Sequence, residues 1–196
     1  MDIKSSQLLV SSALTVLLLA NTATADQNSD SGIYVSGSVG QNWIQSGLPE
    51  ENTAVLKAAV GWQLNPYLGI ELSYDDLGEF PGPTPAYTAF DLAGVTAAVT
   101  GHLPLSENIA LFAKAGQIWW SADSSFFFFN RSTGRNETGT LSFSESDALV
   151  GLGASYELSE QLELELEYNY YQFDFPGASL FNSENSALVL SLKWEL

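Results

Sequence analysis

The stretch Leu162-Glu163-Leu164-Glu165-Leu166-Glu167-Tyr168-Asn169 alternates a large, mostly apolar side chain with a polar one at every step. In an extended chain successive side chains point to opposite faces. Leu162, Leu164, Leu166 and Tyr168 therefore share one face, and Glu163, Glu165, Glu167 and Asn169 the other. A helix would place Glu163 and Glu167 on one side with Leu164 wedged between them, losing the segregation. The stretch reads as a strand.

The same period recurs in both directions along the chain. At the C-terminus Leu188, Leu190, Leu192, Trp194 and Leu196 alternate with Ala187, Val189, Ser191, Lys193 and Glu195. Upstream, Leu68, Ile70, Leu72 and Tyr74 occupy every second position of 67–74. Five further segments pass the test: 33–43 (Ile33, Val35, Val39, Trp43), 55–64 (Leu56, Ala58, Val60, Trp62, Leu64), 92–103 (Val95, Ala97, Val99, Leu103), 109–120 and 148–158 (Val150, Leu152, Ala154, Tyr156, Leu158). Segment 109–120 is the weakest, its faces differing only as Leu111, Ala113 and Ala115 against Phe112, Lys114 and Gly116. With 162–171 and 187–196 the expected count is eight strands. Their links alternate between short (65–66, 104–108, 159–160) and long (44–54, 75–91, 121–147, 172–186). Short turns at one end and long loops at the other predict an all-β, eight-stranded antiparallel up-and-down transmembrane β-barrel, with the short turns periplasmic.

Composition agrees with export and excludes several chemistries. The 196 residues are 45% hydrophobic and 12% aromatic, with 6 Lys+Arg against 23 Asp+Glu, a net charge of −17 and no cysteine. So acidic a chain lacks the basic surface that nucleic acid requires. Without cysteine there is no disulfide, thiol nucleophile or Cys-ligated metal. Residues 1–25 carry Lys4, an apolar run over 8–20 and the small residues Ala23-Thr24-Ala25, the pattern of a secretory signal peptide cut before Asp26. That apolar run is too short to span a bilayer, which takes about 20 residues. Residues 26–196 are then the barrel.

The aromatics and lysines say which face meets lipid. Trp43, Tyr74, Trp119, Tyr168 and Tyr170 lie at the long-loop ends of their strands on the apolar parity, and Trp62, Tyr156 and Trp194 near the short-turn ends on the same parity. Two such rings, one strand-length apart, are the aromatic girdles of a lipid-facing wall. All three strand lysines, Lys57, Lys114 and Lys193, fall on the opposite parity. A lysine facing lipid at mid-membrane costs about 2–4 kcal/mol, so that parity is the lumen. The lumen then holds Glu71, Lys114, Glu163, Glu165, Glu167, Lys193 and Glu195, with Lys57, His102 and Glu157 nearer the periplasmic mouth. An interior of eight strands is filled by side chains, and buried carboxylates there must be paired or protonated.

The run from Gln63 to Asp75, centred on Asn65-Pro66-Tyr67-Leu68-Gly69-Ile70-Glu71, followed by Leu77-Gly78, closely resembles strands two and three of OmpA-like transmembrane domains. Residues 94–123 resemble strands four and five, and Leu166-Glu167-Tyr168 resembles strand seven. The resemblance implies an acid–base network in which acids of strands three and seven exchange partners with bases of strands four and eight. It carries onto Glu71, Glu167 and Lys193, whereas Thr100 stands in place of the strand-four lysine. The chain stops at its eighth strand, as OmpX-like stand-alone barrels do. It ends in Leu196 where the family's assembly signal usually has Phe, and Trp194-x-Leu196 is expected to be read by the outer-membrane assembly machinery.

Together these features predict a bacterial outer-membrane protein with a structural or surface-interaction role. Its lumen is expected to be mostly closed by ion pairs among Glu71, Lys114, Glu165, Glu167 and Lys193. The alternative is a narrow cation-preferring channel or small-solute transport barrel. No enzyme, cofactor or metal is expected, since the one histidine, His102, lies at the periplasmic end, away from an outer-mouth catalytic site. The expected partners are outer-membrane lipid and lipopolysaccharide, and a surface protein through loop three. That loop carries Phe126, Phe127, Phe128 and Phe129, four adjacent rings that point to both faces of any strand. Either 121–147 extends as a hairpin whose edge binds proteins, or the rings seat in the lipopolysaccharide layer.

Overall fold

Period-two segments that each carry one apolar face close on themselves as a cylinder. The computed structural model describes residues 32–45, 52–80, 87–132, 134–173 and 183–196. Residues 1–25, expected to be a signal peptide, the acids Glu50 and Glu51, and segments 81–86 and 174–182 lie outside the described residues. The strands are β1 (Gly32–Gln45), β2 (Asn52–Asn65), β3 (Leu68–Phe80), β4 (Tyr87–Pro104), β5 (Ile109–Asn130), β6 (Arg135–Ser159), β7 (Leu162–Phe173) and β8 (Ser183–Glu195). Each pairs antiparallel with the next, and β8 closes on β1.

The register sets the bore. Straight across the sheet from Tyr34 the partners are Gly61, Glu71, Ala98, Gly116, Leu149, Tyr171 and Asn185. Asn185 in turn meets Ile44, so one circuit climbs from residue 34 to residue 44, a stagger of ten. That stagger tilts the strands by about 40° and leaves an interior that side chains can fill.

The short turns are tied by local polar groups. Asn65 Oδ1 accepts from the Tyr67 amide at 2.9 Å, and the Ile109 amide donates to Ser106 Oγ at 3.2 Å. In β3 a bulge between Asp76 and Gly78 bends the strand near its outer end. Gly78 there takes φ of 87°, and a side chain would run into Thr53.

Exposure alternates along every strand. Leu56, Leu72, Val99, Val150, Leu166, Leu190 and Trp194 face outward, while Lys57, Glu71, Lys114, Glu167, Val189 and Lys193 are buried. Charge inside and hydrocarbon outside is the inversion expected of a barrel whose solvent is lipid.

The strands run longer than the sequence suggested, most of all β5 and β6, expected to end near 120 and begin near 148. They continue as one paired hairpin to Asn130 and Arg135, turning through Gly134 at φ 67°. Period two persists there, but its polarity reverses. Ser121 and Asp123 face outward with Ser142, Ser144 and Ser146 on β6, while Trp120 and Ala122 are buried. Above the membrane the outer face meets water, so a test tuned to an apolar outer face stops at the bilayer surface.

Candidate functional site

The lumen is built in three layers. Nearest the periplasm, Lys193 from β8 pairs with Glu163 and lies 3.5 Å from Glu165, both on β7. Its ammonium also sits 4.8 Å from the centroid of the Tyr34 ring. His102 stacks on Phe112 with centroids 5.8 Å apart and reaches Thr100 Oγ1 at 3.2 Å.

The middle layer gathers two acids and two bases from four strands. Lys114 on β5 lies 2.9 Å from Glu71 on β3 and 2.8 Å from Glu167 on β7. Lys57 on β2 lies 3.1 Å from Glu71 and 3.9 Å from Glu167. Tyr34 donates its hydroxyl to Glu71 at 3.0 Å, joining β1 to the group. Charges balance two against two, which suits side chains so deeply buried. The Tyr34 ring reaches this position across Gly61, where a Cβ would lie 2.1 Å from it.

Toward the long-loop end apolar side chains enter the lumen beside buried polar ones such as Asn42, Asp75, Thr96 and Asn185. Val55, Leu77, Leu92, Ile118, Trp120, Ala122, Leu149, Tyr171, Phe173, Ala187 and Val189 form one buried cluster. Trp120 meets Phe173 edge-on at 5.3 Å, Tyr171 stacks on Phe173 at 5.6 Å, and Trp120 Nε1 donates to Asp147 at 2.6 Å.

Several sequence expectations change accordingly. The five residues grouped as one network divide, with Glu71, Lys114 and Glu167 in the middle layer and Glu165 and Lys193 in the lower one. Lys193 is not the partner of Glu71 or Glu167, as the resemblance implied. Lys57, placed near the periplasmic mouth, takes that role because its long side chain reaches the layer from the outer half of β2. Glu157 keeps the inward parity of buried Ser155 and, opposite Glu163, is exposed at the periplasmic end. The apolar cluster was missed because Leu77, Trp120 and Phe173 lie beyond the expected strand ends or at their limit; their inward parity was the available signal.

On the outer wall, Trp62, Tyr156 and Trp194 are exposed near the short turns, and Tyr74, Trp119 and Tyr168 toward the other end. Trp43 and Tyr170 are half-buried. Of the loop-three rings, Phe127, Phe128 and Phe129 are exposed on the hairpin, while Phe126 is half-buried across Gly139 with its ring 5.8 Å from that of Phe128.

Residues 28–175 match the OmpA-like transmembrane domain family. Outer membrane protein A of Serratia marcescens is 30% identical over 149 residues, covering 74% of this chain and 39% of that protein. The Yersinia pseudotuberculosis protein of the same name is 31% identical over 117 residues, 58% of this chain and 31% of its own length. The chain thus spans well under half of these relatives. Among solved structures, Neisserial surface protein A superposes with a TM-score of 0.64 at 15% identity, covering 84% of this chain and 97% of that one. Ail, the attachment invasion locus protein of Yersinia pestis, gives 0.56 at 16% identity, covering 86% and 99%. Ail has also been solved with the heparin analogue sucrose octasulfate.

Proposed function

Because the chain belongs to the OmpA-like transmembrane domain family and resides in the bacterial outer membrane, we propose that it acts there as a closed structural and surface-interaction barrel rather than a channel. The observation that carries this reading is the stacking of the lumen. A balanced group of Lys57, Glu71, Lys114 and Glu167 lies beneath a tightly filled layer of apolar side chains and buried polar ones, among them Asn42, Asp75 and Asn185, so an ion would have to break buried pairs and then displace packed side chains. Any residual conductance would favour cations, since Lys193 at the periplasmic end faces two carboxylates.

The surface role falls to the β5–β6 hairpin, which carries Phe127, Phe128 and Phe129 beyond the outer aromatic ring. Exposed rings of this kind mark contact surfaces. A polyanion like the one bound by Ail suits this chain poorly. Its net charge is −17, and Arg131 and Arg135 are its only cations outside the lumen after residue 25. A protein partner with apolar or basic character fits better. The assembly machinery would read the chain end, where Trp194 of β8 and the following Leu196 present the terminal apolar face.

Planar-bilayer recording of the refolded barrel tests the closed lumen. The expected result is no step larger than a rare, small, cation-preferring event. Stable porin-sized or anion-selective conductance would overturn it.

A further inference from the structure

One buried carboxylate of the lumen has no cation. Asp75 on β3 points inward and is 1% exposed. Its Oδ2 accepts from Thr96 Oγ1 at 2.5 Å, and its Oδ1 has no hydrogen-bond partner among the described residues. Lys57 stands directly opposite on β2, yet its ammonium turns away to Glu71 at 3.1 Å and Glu167 at 3.9 Å. No Lys or Arg pairs with Asp75 among the described residues. Lys57 and Lys114 therefore face three carboxylates, Glu71, Glu167 and Asp75, and one negative charge stays uncompensated.

Further oxygens lie beside it. Ser73, two residues below on the same face of β3, is 3% exposed and its Oγ is unpartnered among the described residues. Thr96 is the cross-strand partner of Ser73, which sets its hydroxyl between Ser73 and Asp75. From β1, Asn42 reaches the β3 wall just above. Its Nδ2 donates to Leu77 O at 3.2 Å, and the Oδ1 of the same amide is buried without a partner among the described residues.

A carboxylate, two hydroxyls and a carboxamide oxygen are hard ligands of the kind small cations take. Water would satisfy these oxygens but not the charge, and an unpaired buried charge is costly. One spare negative charge calls for one positive charge. A divalent ion, which usually recruits several carboxylates, would leave this level of the lumen positive. Val55, Leu77 and Ile118 are packed into the buried cluster beside these residues, which suits a bare ion better than an organic ammonium.

We propose that Asp75, Ser73, Thr96 and Asn42 form a site for one alkali-metal cation, held above the middle-layer ion pairs. The site goes beyond the closed-lumen reading and is compatible with a barrel that conducts nothing. Conductance tests that reading, and cation-linked stability tests this one.

The experiment is urea unfolding of the refolded full chain in phosphatidylcholine vesicles at mildly alkaline pH, where carboxylates are ionised. Sodium chloride, and in a second series potassium chloride, is exchanged stepwise for N-methylglucamine chloride, so that ionic strength stays constant. Binding of one cation to the folded form alone should lower the unfolding constant about tenfold for each tenfold rise in the alkali ion above its dissociation constant. Asp75→Asn, which keeps the shape and removes the charge, should abolish that dependence. Ser73→Ala keeps the carboxylate and should move the same dependence to about tenfold higher cation, which gives the decision should Asp75→Asn not fold. No dependence on either ion, or a dependence that the folded variants leave unchanged, would overturn the proposal.

Discussion

Replacing Lys114 by Met would remove the cation that contacts both Glu71 and Glu167 and leave Lys57 facing two buried carboxylates. An uncompensated buried charge typically costs about 3–5 kcal/mol. Lys114→Met should lower unfolding stability by that order in a urea titration in lipid vesicles, and adding Glu71→Gln should recover part of it. At the outer surface, Glu79, Asp91 and Asp123 stand opposite one another on β3, β4 and β5. Burial, and then the charges of Asp76, Glu79 and Asp123, hold the Asp91 carboxyl above the usual carboxylate range. Folding therefore favours its protonated form, and this contribution is present in acid and lost as pH rises through the raised value. Asp91 is largely exposed, so the effect is screened. Asp91→Asn should stabilise by about 0.2–1 kcal/mol at neutral pH, and the gain should vanish below the ordinary carboxylate range. Unfolding curves at several pH values check both. Parity alone put Lys114, Glu71 and Glu167 inside, but it could not say who pairs with whom. Pairing depends on side-chain reach across the bore, which is why Lys57 was expected nearer the mouth and Tyr34 was not expected in the group.

At the scale of elements, β7 and β8 were the most legible, because Leu162 to Tyr168 and Leu188 to Leu196 alternate without interruption. β5 was the least. Its lower half has Ala and Gly on both faces, and its upper half reverses polarity after Trp120. Among the described residues, the strand pairing of the hairpin beyond Ser124 and Leu141 is between β5 and β6, apart from Tyr87 opposite Phe126. The hairpin should therefore be dispensable to the barrel. Replacing 125–140 with a two-residue Asn-Gly turn, which suits a two-residue hairpin, should leave the heat-modifiable fold intact. The same change should lower attachment of cells displaying the protein to a protein-coated surface severalfold. Failure of the shortened chain to fold would show that the hairpin supports the cylinder. Unchanged attachment would remove it as the contact surface.

For the whole molecule, closure of β8 on β1 with a stagger of ten residues fixes a bore that side chains fill, and the chain divides its polarity accordingly. Strand number and facing were readable because lipid outside and charge inside impose one parity on all eight strands. The layering of the lumen was not, because inward-facing apolar residues such as Leu149 and Val189 look like ordinary strand residues until the circuit is closed. The chain has no cysteine, so single cysteines can be introduced along β8 and spin-labelled without background. The most direct measurement is oxygen accessibility of such labels in lipid vesicles at 187–192. Leu188, Leu190 and Leu192 should be strongly accessible to oxygen dissolved in the bilayer, and Ala187, Val189 and Ser191 protected. The opposite alternation, or none, would contradict a barrel with its apolar face to lipid and its charges within.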